Sequence, residues 1–104
     1  MKLAEAVLDA ANQGNAHAVA AWLDEGGGVD AACAERRGET LLMGAAAGGQ
    51  EALVRMLLQR GASVNLQSSA GGTALMHAAI SGHTTIAQAL LDAKADASLQ
   101  TKSG

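Results

Sequence analysis

Three histidines and a single cysteine are the residues of this chain best suited to chemistry. His77 and His83 bracket a run of small residues in TALMHAAISGH (Thr73–His83), while His17 and Cys33 lie far from them in sequence. Zinc needs three or four donors, set at i and i+4 on one helix face or gathered by defined loops. His77 and His83 supply two donors at another spacing, and no acid adjoins either. Cys33 would be reactive only in a basic, partly exposed setting, and Arg36 and Arg37 follow it closely enough to keep thiol activation open. A Cys/His dyad has no supporting context. The glycine runs GGGVD (Gly26–Asp30) and AGGQ (Ala47–Gln50) invite a phosphate-loop reading. However, no G-x-x-x-x-G-K-[ST] occurs, and no G-x-G-x-x-G follows a strand pattern. The expectation is a chain with no catalytic, cofactor-binding or metal-binding residues.

The elements that must position these side chains are built from small residues. The chain has 104 residues and is 49% hydrophobic, yet Trp22 is its one aromatic residue. An interior of alanine, leucine, valine and methionine needs close approach of backbones, which favours helix packed on helix in one small domain. The net charge of −3 gives no basic footprint for nucleic acid, and no aromatic ring is placed for base stacking. The lone cysteine fits a reducing compartment, and MKLAEAVLDAAN carries acids inside its apolar pattern, unlike a signal peptide or membrane span. An intracellular, cytoplasmic location with no membrane partner is expected.

The chain repeats. Pairing residues 38–70 with 71–103, a shift of 33, gives twelve identities, among them Thr40/Thr73, Leu42/Leu75, Met43/Met76, Ala45/Ala78, Ala46/Ala79, Gly49/Gly82, Leu57/Leu90 and Leu58/Leu91. Chance would supply roughly four in so alanine-rich a chain, scattered without regard to structure. An earlier copy lies at a shift of 35, where Ala10, Ala11, Gly14, Leu23, Gly26 and Val29 fall on Ala45, Ala46, Gly49, Leu58, Gly61 and Val64. The units span about 1–34, 35–67 and 68–100 of a single domain 1–104, with 101–104 beginning a further hairpin.

Each unit reads as two short helices. Thr40 and Thr73 are suited to cap helices that run to about Ala47 and Ile80. Gly49 and Gly82 permit the reversal into second helices, Glu51 to Arg60 and Thr84 to Ala93. Gly61 ends one of these, but the other meets Lys94, which must take the left-handed turn at a cost or end the helix differently. Helices this short need a neighbour's burial.

GETLLMGAAAGGQEALVRMLLQRGASVNLQ and GGTALMHAAISGHTTIAQALLDAKADASLQ resemble ankyrin repeats, whose pattern is G-x-T-P-L-H-x-A-A-x-x-G-H followed by a hydrophobic helix and L-L-x-x-G-A-D-V-N. Leu41 and Ala74 replace the family's proline, and Met43 and Met76 replace its histidine, exchanging a polar clasp for apolar packing. The resemblance implies an all-α solenoid of about three helix-turn-helix units joined by β-hairpin fingers. It places His83 as a buttress bonding backbone across repeats, while His77, inside the first helix, reads as a partly exposed surface residue. Asn65 matches the asparagine that satisfies hairpin backbone groups and that, in the family, can be hydroxylated.

The resemblance also implies a scaffold that binds another protein or peptide through fingertips and a concave palm of first helices. The fingertip residues are Arg36, Arg37, Glu39, Ser69, Ala70 and Gly72; the palm residues are Asn12, Gln13, Ala47, Gly48, Ile80 and Ser81. Ile80 has Ala47 and Asn12 as counterparts, so nothing structural calls for it, and it reads as a contact anchor. Arg36 and Arg37 would suit a partner with an acidic stretch. Stacks usually close on a polar outer face, whereas Ile86, Leu90 and Leu91 belong to a copy of internal type. The expectation is a fragment of a longer array, or a C-terminal face covered by another molecule. The alternative function is therefore a self-assembling segment using that face.

Overall fold

The computed structural model describes residues 1–99 and 101. They form six α-helices: α1 (Glu5–Gln13), α2 (Ala16–Asp24), α3 (Leu41–Ala47), α4 (Glu51–Gln59), α5 (Ala74–Ile80) and α6 (Thr84–Asp92). A single 3-10 turn lies at Ala34–Arg36. Apart from Thr101, the hairpin expected at 101–104 lies outside the described residues.

The threonine caps form as the pattern requires. The Met43 amide donates to Thr40 Oγ1 at 3.4 Å, and the Met76 amide to Thr73 Oγ1 at 3.2 Å. Both threonines are buried, so the bonds satisfy polar atoms that would otherwise be stranded. Leu41 and Ala74, the first helical residues, are buried too, so the positions the family gives to proline here add aliphatic packing.

The first helices stack as one layer, α1 on α3 and α3 on α5, while α4 packs against α6 outside them. The core runs through all three units, from Leu3 and Leu8 through Leu42, Met43, Val54 and Leu57 to Ile86 and Leu90. Comparing equivalent positions along the repeat shows which face meets which neighbour. Ala11 and Ala46 are each 0% exposed, whereas Ala79 at the same register is exposed, so this position faces the following repeat. Ala21, Met56 and Ala89 go the other way, from exposed through half-buried to buried, so they face the preceding repeat.

The fingers are tight turns rather than ladders. Among the described residues there is no strand, and the β-hairpins expected are reduced to one antiparallel bridge between Cys33 and Glu39. The second finger closes through Ser68 N donating to Gly72 O at 2.8 Å.

Helix ends follow the turn chemistry. Gly61 has φ 88° after α4, and Lys94 repeats that conformation with φ 75° after α6. A Cβ in the left-handed region costs about 1 kcal/mol, and glycine avoids it. Lys94→Gly is expected to raise stability by about 0.5–1 kcal/mol, read as a higher urea midpoint at unchanged slope, while Gly61→Ala lowers it by about 1 kcal/mol.

Candidate functional site

The first fingertip is held by charge. Arg36 Nε donates to Glu5 Oε2 at 2.8 Å and its Nη2 to Asp9 Oδ1 at 2.9 Å, so α1 clasps the finger. These carboxylates, Glu5 foremost, hold the guanidinium more firmly charged than usual. Lys2 Nζ lies 2.8 Å from Glu35 Oε2, and that hydrogen bond draws the Glu35 carboxyl below its ordinary range. The expectation that Arg36 and Arg37 together face a partner is therefore narrowed: Arg36 is engaged within the chain. Arg37 is exposed and has no ion pair among the described residues. Its backbone carries the link to the second finger, Ser69 N donating to Arg37 O at 2.8 Å.

Beside this link, Glu39 and Gly72 face His77. His77 Nε2 is 3.7 Å from Glu39 Oε2, and a Cβ on Gly72 would lie 3.6 Å from the same nitrogen. That nitrogen is buried without a hydrogen-bond partner, while the His77 side chain as a whole is 27% exposed, the partly exposed position expected of it. Ser69 and Ala70 are exposed at the second tip.

On the first helices Ile80 stands out at 86% exposed, next to exposed Ser81. Its counterparts differ: Ala47 is half-buried, and Asn12 is exposed with its Nδ2 donating to Gly44 O at 3.2 Å. Gln13 is exposed. Gly48 was expected as a palm contact, but the backbone sets its identity. A Cβ there would run into the Asn12 carbonyl, so the close approach of α1 to α3 requires glycine.

The remaining chemistry-bearing residues are structural in their surroundings. Cys33 is free and 0% exposed, and Arg36 is turned to its carboxylates, which removes the exposed, basic setting that thiol activation needs. His83 lies against the Gly49 turn, where a Cβ would come within 2.7 Å of its ring. No side-chain hydrogen bond of His83 is found among the described residues. The cross-repeat bond expected of it is made by its counterpart Gln50, whose Nε2 donates to Asn12 O at 3.0 Å. Asn65 Oδ1 accepts from Asp96 N at 2.7 Å, serving the next repeat's loop rather than its own. Asp30 does the same for Ser63 N at 2.8 Å. The 33- and 35-residue registers align Gln50 with His83 and Asp30 with Asn65, which marks Gln50 and Asp30 as counterparts in sequence, while the stacking decides which counterpart makes each bond.

Among the described residues, no group of three or more His, Cys, Asp and Glu side chains could hold a metal ion. No helix among them is long and apolar enough to cross a membrane. Compared with known families, residues 7–101 match the family model for ankyrin repeats, in three copies. No curated protein matches the chain.

Two measurements check this geometry. Gly48→Ala is expected to destabilise the fold by about 1–3 kcal/mol, while Ser81→Ala at the equivalent place stays within about 0.5 kcal/mol, both read from urea unfolding. The second concerns pH. The Glu35 pKa is lowered on folding, so its ion pair with Lys2 adds stability above about pH 4.5, and loses it as pH falls through the folded value. Lys2→Met is expected to lie below wild type in stability at neutral pH and to converge with it in acid.

Proposed function

This chain belongs to the ankyrin-repeat family, whose members are generally protein-interaction modules and typically not catalysts, and on that premise we propose that it captures a protein segment across its fingertips and first helices. The binding residues are Arg37, Glu39, Ser69, Ala70 and Gly72 at the fingers, with Ala47, Ile80 and Ser81 on the helices. The observation that carries this reading is Ile80. Ile80 is 86% exposed, while its counterparts Ala47 and Asn12 show that the register works without a large apolar side chain there.

The partner is expected to place an apolar side chain on Ile80 and a carboxylate opposite Arg37. An exposed aliphatic anchor contributes affinity once water is excluded around it, and an unpaired guanidinium contributes orientation and specificity. Gly48 and Arg36 belong to the same surface, Gly48 half-buried and the Arg36 side chain 39% exposed beside its carboxylates. The buried free thiol of Cys33 accords with a reducing, cytoplasmic setting. The alternative, a segment that assembles with its own kind through the C-terminal face, has exposed Leu91 in its favour. It is opposed by the acids and alanines of the N-terminal face.

A partner identified by capture from extract serves as the titrant. Arg37→Glu with Ile80→Ser is expected to weaken its binding at least about tenfold, while Arg55→Gln on the outer helix α4 leaves it unchanged. Equal affinities for the double variant and wild type would reject the surface. Adding Arg36→Gln separates direct contact from finger positioning, because that change acts through Glu5 and Asp9.

A further inference from the structure

We propose that Ser63 is a phosphorylation site, and that phosphate on it opens the outer seam between the first and second repeats. Two hydroxyl residues of the chain have an arginine three positions before them, Thr40 after Arg37 and Ser63 after Arg60. A kinase that selects its substrate by the charge of an arginine could read either one in an unfolded peptide. The fold separates them. Thr40 is 4% exposed and caps α3 through the Met43 amide, whereas Ser63 is exposed in the loop that follows α4. Arg60 is reachable as well: its side chain is 38% exposed and pairs with Asp24, itself 66% exposed.

What phosphate would meet there is set by the junction. Ser63 N donates to Asp30 Oδ1 at 2.8 Å and its Oγ to Asp30 Oδ2 at 2.6 Å, so one carboxylate of the first repeat holds both groups. The second junction exchanges the partners. There the 33-residue register puts Asp96 in the place of Ser63, and it faces the Asn65 amide, whose Oδ1 accepts from Asp96 N at 2.7 Å. Each junction thus carries a single carboxylate at this contact. Phosphoserine brings about −1.5 to −2 charges at pH 7 and gives up the hydroxyl donor. Phosphorylation would therefore set two acids face to face at the first junction, a combination that neither junction has.

The ion pair of Arg60 with Asp24, at 2.9 Å, spans the same seam, and phosphate acts on it too. It repels Asp30, and it offers the Arg60 guanidinium, three residues away in the same segment, a more highly charged partner than Asp24. In the transfer itself, Ser63 Oγ bonds to the γ-phosphorus of a nucleoside triphosphate. The bond from that phosphorus to the bridging oxygen breaks to release the diphosphate, and the hydroxyl proton passes to a carboxylate of the kinase. The first repeat carries α1, which holds the first finger through Arg36, so loosening the seam also loosens that finger.

The test treats the full chain with a purified arginine-directed serine/threonine kinase and magnesium–ATP, and reads the product by mass spectrometry. One phosphoryl group on Ser63 is expected, with none on Thr40. Arg60→Gln is expected to slow its addition at least about tenfold, while Asp24→Asn, which breaks the same ion pair but keeps the arginine, is labelled no more slowly than wild type. Hydrogen exchange then compares the phosphorylated and unmodified chains. Amides of α2 and of the loop at 25–31 are expected to exchange at least about tenfold faster after phosphorylation, and those of α6 at an unchanged rate. Asp30→Asn keeps the acceptor for Ser63 N and removes the like charge, so there the acceleration is expected to fall to about threefold or less. No labelling, or labelling confined to other residues, overturns the site, and equal slowing in both labelling variants overturns the part given to Arg60. Exchange that phosphate leaves unchanged, or speeds equally in Asp30→Asn, overturns the opening of the seam.

Discussion

Everything in this molecule depends on the contact between one helix pair and the next. Helices of seven and nine residues lie well below the length at which an isolated helix is stable in water. Their stability must come from burial against a neighbour, and burial at this spacing demands small side chains. Ala11 and Ala46 vanish completely into such contacts, and Gly48 is required because a carbonyl of the preceding helix occupies the space of its side chain. A core built mainly from alanine, leucine and other aliphatic side chains, with a single tryptophan, is the compositional consequence of backbones held this close.

Polar bonds fix the register that apolar contacts leave loose. Alanine on alanine is nearly featureless and tolerates sliding, whereas a hydrogen bond to a particular backbone amide does not. Asp30 and Asn65 each hold the following repeat's loop, Gln50 holds the preceding helix end, and Arg36 ties the first finger to α1. Such bonds add modestly to stability because most are exposed, and their larger effect is to select one alignment.

The proposed function rests on what this scaffold does not consume. Most polar side chains near the fingers are engaged: Arg36 with its carboxylates, Ser68 with Gly72 N, Gln67 with Gly71 O. Arg37 and Ile80 are left with their chemistry pointing outward. A repeat fold makes such residues visible, because the other copies show what the same position needs when it has only a structural task.

The repeat period, both threonine caps, the helix spans and the strained turn at Lys94 were legible in the sequence, because each is set by local backbone chemistry or by a periodic pattern. The sequence could also show that Ile80 departs from its counterparts. It could not show that Arg36 is clasped by Glu5 and Asp9, that His77 is tucked beside Glu39, or that Gly48 meets a carbonyl. Nor could it show that Gln50, rather than His83, makes the bond across repeats. Those outcomes join residues about thirty or more positions apart, and only the stacking of one unit on the next determines which side chains become neighbours.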